Sequence, residues 1–146
     1  MNFVQNSATL KKIKRFFQLY NIEHKLMKFT KQSKDKISEL LSDDKVNVDF
    51  NMENAIIEAL TEGHNIPSKW KRATFSPSRS VDDCIEMIRI LYPNVEFSLV
   101  TKVVEGGPVF IAWVLKEEYS VWSTMAARAL FRAAWNCYRL EHDTIE

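Results

Sequence analysis

Apolar residues recur at helical spacing along most of this chain of 146 residues. Leu10, Ile13, Phe17 and Tyr20 form a first stripe, with Ser7 placed to cap it. Ile22, Leu26 and Phe29 continue the pattern, followed by Ile37, Leu40 and Leu41 with Ser33 as a candidate cap. Met52, Ala55, Ile56, Ala59 and Leu60 predict a further helix, which Gly63 closes as a C-terminal glycine. Val81, Cys84, Ile85, Ile88 and Leu91 share one face of the next helix, and Pro93 stops it. The longest predicted helix is the alanine-rich stretch from Ser123 to Arg139.

In two places the period shortens to two. VEFSLVTKVV, Val95 to Val104, and VFIAWVL, Val109 to Leu115, are β-branched strands that meet across EGGP. They predict a hairpin with a turn of about four or five residues. The stretch SKWKRATFSPSRSVDD, Ser68 to Asp83, reads as a strand and turn that run into a helix start. The resulting order is α-β-α-β-β-α, an α+β layered sandwich of helices on a small, mainly antiparallel sheet. A basic helical segment precedes it. The polar run SDDKVNVDFN, Ser42 to Asn51, marks the boundary, giving an N-terminal segment of residues 1–45 and a sandwich domain of residues 46–146.

Net charge is +1 and carries little information, but its distribution does. Residues 1–36 hold nine Lys and Arg against Glu23 and Asp35, a net +7, which leaves the remainder at −6. Lysines that alternate with Phe16, Phe17, Tyr20 and Phe29 suit nucleic-acid binding through residues 1–36. Lys11, Lys12, Lys14 and Arg15 cover most of a helical turn rather than one face, however, which also fits an amphipathic helix pair with a solvated lysine surface. Docking onto another protein, or self-association into a homo-oligomer through the aromatic side, is a third reading. Cys84 and Cys137 both fall in apolar helical patterns and read as reduced core thiols. The three histidines, His24, His64 and His142, have no metal-ligand spacing with them. With no signal peptide and no apolar run long enough to cross a bilayer, an intracellular protein with no membrane partner is expected.

Two stretches carry candidate chemistry. In the first, Ser80 and Asp83 match a capping box, and Asp82 with Asp83 would repel a phosphate at that helix start. Trp70, Arg72 and Arg79, with Lys69 and Lys71, remain as a cationic and aromatic cluster able to hold a nucleotide by stacking and charge. In the second, Arg128, Arg132, Trp135 and Arg139 share one stripe of the last helix. Ala126, Ala129, Leu130, Ala133 and Cys137 form the opposite, core-facing stripe. Guanidiniums flanking an indole on a polar face fit a phosphate or an acidic partner, and equally a plain solvated face with one amphipathic Trp. No Gly-x-Ser-x-Gly is present, and Gly63, Gly106 and Gly107 belong to no phosphate-cradling loop. Hence neither catalytic residues nor a cofactor is expected, and the chain reads as a binding protein rather than an enzyme.

Residues 51–142 resemble the phage ABA sandwich domain family, small phage and prophage proteins of unassigned function. The resemblance runs through MENAIIEAL, IPSKW, the pair Phe75-Ser76 before VDDCIEMIRIL, VFIAWVL with Trp113, and MAARALFRAAWNCYR with Arg132-Ala133-Ala134. Where the family often has Ser-Thr-Asp after the aromatic residue, this chain has Ser76-Pro77-Ser78, and residues 1–50 have no counterpart. The resemblance implies a phage origin, a location in the host cytoplasm and accessory duty. The expected function is modulation of the host, including counter-defence, by binding a host protein or a small anionic, nucleotide-like ligand. Trp70, Arg72, Arg79, Arg128, Arg132 and Trp135 are the expected contact groups, and a nucleic-acid-binding regulator that uses residues 1–36 is the alternative.

Overall fold

A computed structural model describes residues 30–61, 67–71 and 74–143. The helices expected from Leu10, Ile13 and Phe17 and from Ile22, Leu26 and Phe29 lie outside the described residues, as does Gly63.

Helix α1 spans Lys31–Ser42, and its N-cap is Thr30, whose hydroxyl accepts from the Ser33 N–H at 3.1 Å. Ser33, the expected cap, lies instead within the first turn. Helix α2 spans Phe50–Thr61 and starts on Asp49, whose carboxylate accepts from the Met52 N–H at 3.0 Å. The strand expected after it is a 3-10 turn over Ser68–Lys71. Helix α3, Val81–Leu91, ends at Tyr92 before Pro93 as its pattern predicts. Its N-cap is Ser80, which accepts from the Asp83 N–H at 3.2 Å. Asp83 leaves the reciprocal half of the capping box unmade and accepts from the Ser76 N–H at 3.0 Å instead.

Strands β1, Phe97–Val104, and β2, Gly107–Val114, pair antiparallel from Phe97↔Val114 to Val104↔Gly107. The hairpin therefore closes over Glu105 and Gly106, tighter than the expected turn. Gly106 at φ +98° and Gly107 at φ +125° supply the backbone conformations that let it do so. A 3-10 turn over Glu117–Tyr119 leads to a short third strand, β3, Val121–Ser123, which pairs antiparallel with β2. The sheet order is β1-β2-β3. Helix α4, Ala126–Asp143, completes the α+β fold.

The layers differ from a helix resting on a sheet with one face in water. Helix α4 packs against all three strands, while α1 and α3 pack against α4. It is therefore enclosed around its circumference. Ala129, Leu130, Phe131, Ala133, Ala134, Trp135, Cys137 and Tyr138 are all buried. Small residues let neighbours approach closely on several sides, and a helix apolar or small all round is a buried helix.

Ile37, Leu40 and Leu41 of α1 join the same core cluster as Met52, Ile56, Met87, Ile88, Ala112 and Val114. The boundary expected at residue 45 therefore does not divide the described core: residues 31–42 supply part of it.

Candidate functional site

Of the charged and aromatic residues singled out in the sequence, Trp70, Arg128 and Trp135 are buried, Arg132 is half-buried, and Lys69 and Arg79 are exposed. Trp70 is 1% exposed, stacks on Phe75 with ring centroids 5.1 Å apart, and donates its indole N–H to Glu86 Oε2 at 3.2 Å. Lys69 Nζ lies 2.8 Å from the other oxygen of Glu86. The hydrogen bond from Lys69, opposed by burial and helped by a further bond from Trp70, holds the Glu86 carboxyl below its ordinary pKa. These groups fasten the 3-10 turn to α3. Arg72 lies outside the described residues.

Trp135 is 2% exposed, not displayed on a polar face. Its indole N–H donates to Ser38 Oγ at 2.9 Å, and Arg139 donates to the same hydroxyl at 3.0 Å and to Asp35 at 2.8 Å. Arg128, on the same stripe, is buried beneath the end of α1. Its guanidinium donates to the carbonyls of Leu40 (2.9 Å), Asp43 (3.0 Å) and Val46 (2.9 Å). The last carbonyls of a helix lack partners within it, and a cation there also complements the helix dipole. Burial lowers the Arg128 pKa, and the carboxylates of Asp44 and Asp43 oppose that shift. Arginine remains charged in either case. The stripe from Arg128 to Arg139 is thus the seam between α4 and α1. Arg132 sits on the same stripe but donates to the Trp122 carbonyl of β3 at 2.8 Å.

The 43–49 loop, which in sequence reads as a boundary, is anchored from two sides in the described fold. Arg128 holds it from α4, and Arg79 donates to the Val48 carbonyl at 2.7 Å from the turn before α3. Asp44 reaches the start of α4, accepting from Ser123 Oγ (2.7 Å), Thr124 N (2.9 Å) and Thr124 Oγ1 (3.0 Å). Ser123 Oγ in turn accepts from the Met125 N–H at 3.2 Å. Burial raises the Asp44 pKa, but these hydrogen bonds and the nearby Arg128 charge outweigh it, and the net shift is downward. Of the expected contact residues, Arg79 and Arg128 meet the same loop. Trp70, Trp135 and Arg132 are held at other places by other groups.

The Ser-Pro-Ser turn is also built around an internal acid. Glu53 of α2 is 2% exposed, and its Oε2 accepts from Ser76 Oγ (3.0 Å), Ser78 N (2.9 Å) and Ser78 Oγ. A buried carboxylate needs such donors, and this one fixes the turn's shape. Its place among Met52, Ala55 and Ile56 in sequence gives no hint of this role. Both cysteines are buried free thiols, as their patterns predict. Burial, with Glu53 and Asp83 nearby, pushes the Cys84 thiol far up. Burial, then the Glu141 charge, pushes Cys137 up to about 11, with Lys116 opposing. Both remain protonated at neutral pH and are poor nucleophiles. Among the described residues no group of three or more His, Cys, Asp or Glu side chains is placed to hold a metal. No described helix is long and apolar enough to cross a membrane.

The outer face of the sheet is different. Side chains alternate along each strand, so registered pairs share a face. The inner rows, Leu99–Ala112–Val121 and Thr101–Phe110–Ser123, face α4. The outer rows are Ser98–Trp113, Val100–Ile111–Trp122 and Lys102–Val109. Trp122 is 57% exposed, Val100 51% and Val104 39%. A shallow hollow of ≈ 380 Å³ lies here. Val104, Val109, Ile111 and Trp122 are its apolar walls, and Lys102 with Ser120 supplies polar ones. Aromatic and β-branched side chains of this kind usually stay covered in a monomer. The shortness of β3 hid this face in the sequence: three residues are too few for alternation to show, so Trp122 attracted no notice.

Comparison of the chain with protein-family models, curated proteins and solved structures returns no match.

Proposed function

We propose that this chain is a non-enzymatic accessory binding protein that engages a partner protein through the outer face of its sheet. The observation that carries the reading is the exposed row Val100–Ile111–Trp122 beside an apolar hollow in which, among the described residues, Lys102 is the single charged wall residue. The partner this chemistry fits is a protein segment presenting uncharged apolar or aromatic side chains. Trp and β-branched residues that are already exposed and held on a paired strand lose little freedom on binding, which makes Trp122 the anchor. A nucleotide-like anion would need several converging cations, whereas Arg128, Arg79 and Arg132 are engaged with backbone carbonyls. The resemblance of residues 51–142 to phage ABA sandwich domain proteins supports a phage origin and makes a host protein the natural partner. The nucleic-acid reading rests on residues 1–36, most of which lie outside the described residues.

A photo-crosslinking residue placed at Trp122 or Ile111, and separately at exposed Arg89 on α3, tests the proposal in a host extract. Protein adducts from the sheet positions, absent from the helix position and lost with Val100→Asp, support it. Adducts from Arg89 alone, or a bound nucleotide and no protein, overturn it.

A further inference from the structure

The sheet has two edges, and they are treated differently. Strand β3 is only three residues long, and the Trp122 carbonyl on its outer side is taken by Arg132 at 2.8 Å. Strand β1 is eight residues long, contains no proline, and pairs only with β2 among the described residues. Its second half is exposed on both faces: Val100, Thr101, Lys102, Val103 and Val104 all lie open, with Val103 81% exposed. An uncovered edge of this length is a template for another strand.

The backbone determines which groups are available. The Glu96 carbonyl accepts from the Leu115 N–H, so even-numbered residues of this strand turn their N–H and C=O groups toward β2. Phe97, Leu99, Thr101 and Val103 turn theirs to the open edge. The strand's charges then select a register. A two-fold axis through Leu99 pairs Leu99 with itself, and Phe97 with Thr101 of the second copy. On the outer face it places Lys102 opposite Glu96 of the second copy. Of the two-fold registers, this one alone puts that lysine and that carboxylate directly opposite each other. Both side chains are exposed in the single chain.

We propose that β1 is a dimerisation edge, along which two copies pair antiparallel about an axis at Leu99 into a six-stranded sheet of order β3-β2-β1-β1-β2-β3. A two-fold axis normal to the sheet leaves both helical layers on one side and joins the two outer faces on the other. Val103 then lies opposite Val95 of the second copy. Glu96 of the second copy neutralises Lys102, a charged wall of the hollow, and makes the apolar face continuous across the dimer. The pairing itself depends on the edge and its charges alone, so it stands or falls separately from the partner proposed for that face.

Sedimentation equilibrium of the full chain is the test, and the expected mass is twice 17.1 kDa. Lys102→Glu or Glu96→Lys alone sets like charges opposite each other twice per dimer and weakens association by about tenfold or more. The double exchange, Lys102→Glu with Glu96→Lys, restores it. Thr101→Pro removes an N–H that faces the open edge while leaving the ladder with β2 intact, and it gives a folded monomer by circular dichroism. Trp122→Ala leaves the dimer unchanged. A wild-type monomer at about 100 μM overturns the proposal. So does a dimer that survives Thr101→Pro, or a charge exchange that fails to rescue.

Discussion

Two pairs of tryptophans divide the molecule. Trp70 and Trp135 are enclosed, and each has its indole N–H on an internal acceptor. Trp113 and Trp122 stand on the outer face of the sheet, where Trp122 is 57% exposed. In the sequence the first pair sits near Lys and Arg and suggests a ligand surface, while Trp113 sits in the strand VFIAWVL and Trp122, in YSVWST, attracts no notice. The structure reverses the first impression and brings out the second pair. An arginine beside a tryptophan in a helix marks a polar surface only where nothing packs on it. Here α1 packs on it, and the guanidiniums bond to its carbonyls and side chains. A run of β-branched residues in a strand marks a core only on the covered face.

The largest expected effect comes from the enclosed side. Trp135→Ala removes a ring packed near Tyr138 at 5.3 Å and leaves Ser38 without its indole donor. The expected loss is about 3–5 kcal/mol of folding stability, read from the midpoint of urea unfolding at unchanged slope. A loss below about 1 kcal/mol would mean that α1 does not cover α4 in solution, and the comparison would fail on its inner half.

Between the two sides lies Asp44, which ties the 43–49 loop to the start of α4. Asp44→Ala removes three hydrogen bonds at a helix start and costs about 1–2 kcal/mol. The effect depends on pH. The folded chain holds the Asp44 pKa below its usual value, so the folded state binds this proton less readily than the unfolded chain. The contribution is complete above the ordinary aspartate range, about pH 4, and disappears as the pH falls through the lowered folded value. Melting curves of wild type and Asp44→Ala therefore keep a constant separation from neutrality to about pH 5 and converge in stronger acid. A separation that widens in acid would show that Asp44 is not the acceptor described.

Much of the fold was legible from periodicity. The helix from Val81 to Leu91, the strand pair and the long last helix are all present, although the hairpin turn is tighter than expected and the last helix begins at Ala126 rather than Ser123, which closes β3. What covers each face was not legible, because a 3.6-residue period says which residues share a stripe and nothing of what lies against it. In α4 the stripe of Arg128, Trp135 and Arg139 and the stripe of Ala129, Leu130 and Ala133 are both interfaces, one mainly with α1 and one with the other elements around α4. The partners of Arg128 lie 82 to 88 residues away in sequence. No local pattern carries that information. Glu53 was hidden for the same reason, since its donors Ser76 and Ser78 arrive from a different turn.

The smallest effect tests the outer half of the comparison. If Trp122 were part of the fold's support, truncating it would cost as much as truncating Trp135. Its side chain instead stands on the open face, and the backbone carbonyl that Arg132 holds survives substitution. Trp122→Ala is therefore expected to shift stability by no more than about 0.5 kcal/mol, as exposed positions usually do. Intrinsic tryptophan fluorescence sharpens the point. The exposed indole contributes red-shifted emission quenched readily by iodide, and Trp122→Ala should remove much of the quenchable fraction while Trp70 and Trp135 stay protected. A large aromatic ring that stands in water on a paired strand is the group on which the proposed binding face rests. A stability loss approaching that of Trp135→Ala would place Trp122 in the core and remove the basis for a binding face.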